Sequence, residues 1–552
     1  MHFSAALSLV LAASAAASPR APALPTVDLG YTLQRASSLN SSAGYYNFTN
    51  IRYAQPPVGK LRFAAPVPPK KNRTVQTGEE GHVCYQALPA WELDATSFVT
   101  DVLTGGNITG FIANSTGLAF TPETLPPPTS RETEDCLFLD VIVPERAFKK
   151  KDKGEGAAVL VWIYGGGYVD GNKGDTFDPT GLIKRGLDAT GKDVIYVAMN
   201  YRLGAFGFLS GPTFQEQGDA NAGLLDQRLA LEWVQQHIKK FGGNPKKVTV
   251  FGESAGGGSI MHQITAYGGA KGKAPFQQAL PQSPGWFPLP GNFAQEQTYN
   301  AFLKYANVSN IAEARALSSI EVRNANFLQV GASAWGTFTY GPTVDGSFAP
   351  GLPGKLLLDG NYDKDLNIMV GHNADEGLDF SPPIAQTTDG FNQYLRTSFP
   401  DADDSVIDYI TKTLYPAVFD GSLGYRSNIE RTALLTSESI FTCNTNYLAR
   451  AYGNHTHNYL YSVPPALHGQ DVAYTFYNEP NPAVLVPSLA VALQEYITTF
   501  AINGKPSAKG TPKFPTYGSN GMVQNINVTG IEAIKDPADN ARCLWWQKAL
   551  YY

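Results

Sequence analysis

Hydrophobic and polar positions change their spacing along the chain. From residue 27 to 66 short β-rich runs alternate with turns, closing with Ala54-Gln55-Pro56-Pro57-Val58-Gly59 and then Leu61-Arg62-Phe63, a pattern that predicts edge hairpins. From about residue 135 apolar runs alternate with helical periodicity: Val159 to Tyr164, Val194 to Met199, a helix from Leu224 to Lys240, then Val248 to Gly252. Continuous apolar runs separated by helices predict strands buried on both faces of a mostly parallel sheet. In such a sheet the chemistry gathers at the carboxyl ends of the strands. Leu366 to Gly371 and Tyr459 to Val463 read as later strands, and the helical, Tyr-rich stretch 380 to 450 as an insertion over the sheet. No internal repeat, heptad or low-complexity linker interrupts the pattern, so residues 18 to 552 are expected to form one α/β domain with large loop and helical insertions.

Composition supports a sizeable core: of 552 residues 43% are hydrophobic and only 16% charged, which excludes a disordered chain. Lys plus Arg number 42 against 48 Asp plus Glu, a net charge of −6, the wrong sign for holding nucleic-acid phosphates. Cys-x-x-Cys and His-Glu-x-x-His are absent, and no Gly-Lys pair is followed by Ser or Thr, so zinc peptidase and P-loop readings fail. Neither a metal nor a cofactor is expected.

Residues 3 to 17 are almost wholly Ala, Leu, Val and Ser and close with Ala15-Ala16-Ala17 before Ser18-Pro19, the form of a signal peptide cut after residue 17. The apolar core is too short for a permanent span, and nothing later approaches about 18 uncharged apolar residues. The expectation is a secreted, extracellular protein without a stable membrane anchor. Eight Asn-x-Ser/Thr sequons, at Asn40, Asn47, Asn72, Asn107, Asn114, Asn307, Asn454 and Asn527, agree with a glycosylated exported chain. Four cysteines, Cys84, Cys136, Cys443 and Cys543, permit three pairings, and an oxidising compartment favours disulfides. The sequential pairing is preferred, Cys84 with Cys136 closing an upstream loop and Cys443 with Cys543 holding the C-terminal region.

The run Val248-Thr249-Val250-Phe251-Gly252-Glu253-Ser254-Ala255-Gly256-Gly257 is a buried strand entering a G-x-S-x-G turn and a small-residue helix start. A serine on so sharp a turn needs neighbours without side chains for its Oγ to stand clear, which makes Ser254 the candidate nucleophile. Its base is sought among His82, His237, His262, His372, His455, His457 and His468. Where a parallel sheet carries such a turn, acid and then histidine follow the serine in the chain. His455 lies inside a sequon and His457 opens a strand, so His468, in a loop just beyond that strand, is chosen. The acid follows another predicted strand end, where Asp375 and Glu376 qualify equally, since either carboxylate could orient the imidazole. Tyr164-Gly165-Gly166-Gly167-Tyr168 offers backbone N–H groups for an oxyanion hole.

In these motifs the chain resembles the type-B carboxylesterase and lipase family, the cholinesterase-like α/β hydrolases, and most of all its secreted fungal members. The likeness runs over nearly all of the mature sequence through Tyr53 to Gly59, Glu134-Asp135-Cys136-Leu137, Asn200-Tyr201-Arg202-Leu203-Gly204, Phe251 to Gly257, Asp375-Glu376-Gly377 and His468-Gly469. The resemblance implies an α/β-hydrolase fold and hydrolysis of small-molecule or lipid carboxylic esters through an acyl-enzyme. It implies Glu376 as the acid, and Gly166, Gly167 and Ala255 as oxyanion donors. It also implies the disulfides Cys84–Cys136 and Cys443–Cys543. Alternatives are a triacylglycerol or sterol-ester lipase, an acyltransferase and a non-catalytic interaction protein.

Cholinesterases carry a tryptophan shortly before the cysteine of the Glu-Asp-Cys motif, whereas residues 117 to 135 contain none, so a cation platform for choline is missing. Adhesion proteins of that fold lack the serine, which is present here. By the same resemblance residues 85 to 135 form a lid, long for a passive connection. Its apolar residues and two sequons suggest either a gated esterase preferring short to medium acyl chains or a fixed loop packed through Trp91.

Overall fold

The computed structural model describes residues 24–551 except 80, 112–119, 175–177 and 289–290. The expected signal peptide and the sequon at Asn114 lie outside the described residues. Eleven strands form the main sheet: β1 (Ser38–Asn40), β2 (Tyr45–Arg52), β3 (Phe138–Pro144), β4 (Ala157–Ile163), β5 (Val194–Met199), β6 (Gly243–Glu253), β7 (Gln278–Gln282), β8 (Asn367–Asn373), β9 (Thr456–Tyr461), β10 (Met522–Asn527) and β11 (Gly530–Lys535). Their spatial order is β11-β10-β9-β8-β7-β6-β4-β5-β3-β2-β1. From β5 through β10 the pairing is parallel, and antiparallel strands close both edges.

The apolar runs become the middle of this sheet because they are buried on both faces: every residue of β5 and β9 is buried. Around β4 and β6 the core is aromatic. Trp162 sits 4.8 Å from the Phe251 ring and 4.9 Å from Phe476, close enough for favourable ring packing. Helices Ala222–His237, Ala255–Ile264 and Pro487–Asn503 flank the sheet. The predicted helix to Lys240 ends earlier, at His237, and tightens into a 3₁₀ turn over Ile238–Phe241. The predicted strand at Tyr459 starts three residues sooner, at Thr456. The 380 to 450 stretch is helical as read, with Cys443–Tyr452 packed on β8 and β9.

The edge hairpins extend only to Arg52, and a separate three-stranded sheet joins Thr26–Asp28, Leu33–Arg35 and Val75–Gln76. Residues 53–66 are irregular apart from one 3₁₀ turn, because Arg62 is drawn into the interior. Its guanidinium grips Glu134 at 2.5 and 2.8 Å and donates to the carbonyls of Ala314, Arg315 and Leu317. Arg202 makes a second buried pair with Asp226 at 2.7 and 2.8 Å. Both disulfides follow the sequential pairing, with Cα–Cα separations of 4.9 Å for Cys84–Cys136 and 5.0 Å for Cys443–Cys543. Glu134 stands two residues before Cys136, so ion pair and disulfide fix the same strand entrance. Removing one partner of a buried pair strands the other charge, so Arg62→Met is expected to destabilise the fold by about 3–5 kcal/mol. Arg62→Met with Glu134→Leu should recover most of that loss, as read by urea unfolding.

Candidate active site

β6 ends at Glu253 and the chain turns sharply at Ser254, which has φ 58° and ψ −124°, before helix Ala255–Ile264 begins. Non-glycine residues rarely adopt positive φ, at a cost of order 1–3 kcal/mol. Three backbone bonds hold the turn: Ser254 N–H donates to the Gln282 carbonyl at 3.1 Å, and the Ser254 carbonyl accepts from Gly258 at 2.9 Å and Gly285 at 3.0 Å. A Cβ on Gly252 or Gly256 would stand 2.4 or 2.0 Å from the Ile163 carbonyl oxygen, so only glycine fits beside the turn. Ser254 as a residue is half-buried.

The glycine run after β4 wraps against this serine. A Cβ on Gly165 would lie 2.9 Å from Ser254 Cβ, and one on Gly167 would enter the Phe338 ring. Gly166 and Gly167 both adopt positive φ, 97° and 57°. Neither of their N–H groups is taken up by a described residue. Ala255 opens its helix, where the N–H groups have no intrahelical partner.

His468 arrives on the loop after β9, and Glu376 on the turn after β8. The structure brings them together: His468 Nδ1 lies 2.5 Å from Glu376 Oε2. The other carboxylate oxygen, Oε1, accepts from the Ser283 hydroxyl at 2.6 Å and the Asn373 N–H at 2.5 Å. Glu376 is wholly buried. Asp375, the alternative in the sequence, is held through its backbone: its N–H donates to the Ala466 carbonyl at 2.9 Å, and it forms an isolated bridge with Leu467. That bridge joins the two loops carrying Glu376 and His468. Aromatic rings of Phe441 and Phe380 lie 4.3 and 5.1 Å from the imidazole. The sequence offered no signal for these rings, for Ser283, or for Glu253 beside the imidazole.

His468 Nε2 is buried and has no hydrogen-bond partner among the described residues, Ser254 Oγ included. Glu253 Oε1 is 3.3 Å away. Burial acts to depress the His468 imidazolium, but the carboxylates of Glu253 and Glu376 outweigh it and hold its pKa above the ordinary range. Burial pushes the Glu253 carboxyl upward as well, with His468 partly opposing. The two are linked: a protonated Glu253 withdraws the charge that favours imidazolium, and so helps leave His468 neutral. Burial also raises Asp375, Asp379 and Asp471 to about 6. Asp379 accepts a hydrogen bond from the His468 backbone, and Asp471 from the Tyr459 hydroxyl at 2.6 Å. No group of three His, Cys, Asp or Glu among the described residues is arranged to hold a metal. The other histidines stand apart: His372 bonds Thr445, His262 the Gly258 carbonyl, and His457 the Pro515 carbonyl.

A buried acid–histidine pair beside a serine on a strained turn is an arrangement for acyl transfer, and comparison with known proteins agrees. Residues 30–546 match the carboxylesterase family. The chain belongs to that family. Membership makes it a carboxylic ester hydrolase. Carboxylesterase patB of Penicillium expansum is 41% identical over 95% of this chain and 96% of its own length. Lipase 2 of Geotrichum candidum is 32% identical over 78% of this chain and 80% of its own. The crystal structure of Aspergillus niger EstA superposes with a TM-score of 0.78 at 24% identity, covering 95% of this chain and 98% of that one. A thermophilic pNB esterase superposes with a TM-score of 0.72, covering 96% and 99%. The fold is thus the α/β-hydrolase fold.

A histidine acting as general base must be neutral, so if His468 is that base its raised pKa places the acid limb of kcat/KM above the ordinary histidine value of about 6.5. Glu253→Gln removes one charge that favours the imidazolium and is expected to move that limb to lower pH, by about one unit. Rates on a soluble ester from about pH 5 to pH 9 check this; an alkaline shift would contradict it.

Proposed function

We propose that the protein is a secreted serine esterase working through an acyl-enzyme, with Ser254, His468 and Glu376 as its triad. The observation that carries this reading is the 2.5 Å contact between buried Glu376 and His468, on a loop set against Glu253, the residue preceding the strained serine. Ser254 Oγ turns toward the unpartnered His468 Nε2, gives up its proton there and attacks the ester carbonyl carbon. Glu376 fixes the imidazole tautomer through Nδ1 and stabilises the imidazolium that forms. The oxyanion is held by the N–H groups of Gly166, Gly167 and Ala255, and the proton returns through His468 to the leaving alcohol. Water then repeats the sequence on the acyl-enzyme. No cofactor enters these steps.

The segment between Cys84 and Cys136 supports a site walled by a docked loop. Trp91, at the start of helix Glu92–Thr104, donates from Nε1 to the Thr337 carbonyl at 2.9 Å and packs on Trp335 and Phe338 at 5.9 and 5.6 Å. Phe98 lies 5.7 Å from Trp335, Ala87 N–H bonds the Val169 carbonyl at 3.0 Å, and Gln386 bonds the Ile108 carbonyl at 3.1 Å. A wall so fastened favours a confined pocket and acyl groups of short to medium length. The competing reading, a lipase acting at a lipid surface, is favoured by the lipases among the relatives. Export rests on the leader, residues 1 to 17, and residues 18 to 552 are read as one domain.

The test is hydrolysis of a p-nitrophenyl ester series from acetate to palmitate by the wild type and its variants. Ser254→Ala and His468→Ala should each lower kcat by about 10⁵–10⁶, with the double variant little worse. Glu376→Gln should be severe and Asp375→Asn mild, the reverse ranking moving the acid to Asp375. Rates should fall steeply beyond medium chains; a sharp rise on palmitate emulsions would make the protein a lipase.

A further inference from the structure

On the side of the molecule carrying the small three-stranded sheet, a cleft of about 640 Å³ opens between that sheet and β2, with Phe138 in its wall. Its size falls in the range of about 300–1,000 Å³ that encloses small organic ligands. No residue placed in the triad or the oxyanion hole lines it. Tyr31 and His82 supply aromatic edges, Lys70, Lys71 and Glu79 supply charged hydrogen-bonding groups, and the amides of Gln34, Asn50, Gln55 and Gln76, whose NH2 groups are bonded within the chain, present acceptor oxygens, that of Asn50 without a partner among the described residues. Phe138 is braced by the stacked His82 ring at 5.3 Å and by the Arg52 guanidinium at 4.4 Å. Arg52 is itself held by Asp135 at 2.5 and 2.8 Å. A cleft whose wall offers many donors and acceptors of both charge signs beside aromatic edges suits a hydroxyl-rich ligand such as a sugar.

One such ligand has a point of attachment in the wall. Asn72, in the sequon Asn72-Arg73-Thr74, lines the cleft, and its N–H is fixed to the Tyr31 carbonyl at 2.7 Å. Asn72 Oδ1 accepts from the Thr74 N–H at 3.1 Å and the Thr74 hydroxyl at 2.8 Å, leaving Nδ2 without a partner among the described residues. Only Asn107 and Asn527 share this arrangement among the described sequons, and neither lines the cleft. At Asn40 and Asn47 the Nδ2 groups are already engaged, with the Tyr45 and Ser38 hydroxyls at 3.0 Å each.

We infer that Asn72 carries an N-linked glycan whose innermost N-acetylglucosamine units lie in this cleft. The inference rests on the export reading, since the modification belongs to the secretory route. In the transfer, the anomeric C–O bond of a lipid-linked oligosaccharide donor breaks and the Asn72 Nδ2–C bond forms. The Nδ2 proton leaves with the displaced lipid pyrophosphate. The docked sugar ties the small sheet to β2, so the glycan acts as part of the fold.

The full chain, expressed in a glycosylating fungal host, tests this by peptide mass mapping before and after native endoglycosidase H treatment, which cuts between the two innermost sugars. A docked core is reached only through a minor open state, so release at Asn72 should be about tenfold or more slower than at Asn107 and Asn527. Asn72→Gln should lower the Tm while Asn107→Gln leaves it unchanged, with ester hydrolysis unaffected in both. If Asn72→Gln fails to leave the cell, the wild-type release rates still decide. Glycans on Asn107 or Asn527 with Asn72 bare, or equal release rates, would overturn the inference while leaving export intact. A chain retained in the cytosol with every sequon bare would overturn the export reading, and this inference with it.

Discussion

The site depends on one backbone conformation, the left-handed turn at Ser254 between β6 and helix Ala255–Ile264. A serine held there cannot have side chains beside it, and the forbidden positions at Gly252, Gly256 and Gly165 are all set by the approach of β4 and its following loop. The cost of order 1–3 kcal/mol for such a conformation is offset locally by backbone bonds from Gln282, Gly258 and Gly285. Because Gln282 ends β7 and Gly285 lies just beyond it, the neighbouring strand helps hold the serine in place. That same segment supplies Ser283 to Glu376, so one loop braces both ends of the candidate triad.

Around this turn the interior is unusually acidic. Glu253, Glu376, Asp379 and Asp471 all lie close enough to His468 to act on its charge. In low dielectric such groups do not all ionise at once, and burial raises several of them. The histidine therefore works within a shared proton balance, in which the state of Glu253 sets how readily the imidazole is neutral. Apolar rings from Phe441 and Phe380 pack against the imidazole, lowering the local dielectric in which these charges interact.

Much of the sheet was legible in the sequence because a parallel strand buried on both faces is a continuous apolar run, as at Val159 and Val194. The serine turn was legible because glycine sterics act between neighbours in the chain. Asp375 and Glu376 were not separable, since adjacent carboxylates at a strand end differ only in where the turn aims them. In the structure Asp375 is bridged through its backbone to Leu467, while Glu376 is buried against His468. Ser283 reaches Glu376 across 93 positions of chain, and Arg62 reaches Glu134 across 72. No local pattern marks such contacts. Arg62 is also why the expected hairpin dissolves after Arg52, a buried ion pair there overriding β-rich local composition.

The central claim is that the strained turn makes one hydroxyl a nucleophile among all the serines of the chain. Stoichiometric labelling with a fluorophosphonate ester, followed by digestion and peptide mass analysis, tests it most directly. One phosphonyl group per chain on the peptide bearing Ser254, with no label on the Glu376→Gln or Ser254→Ala protein over the same interval, is the predicted result. A label on another serine, or equal labelling of Glu376→Gln, would contradict it.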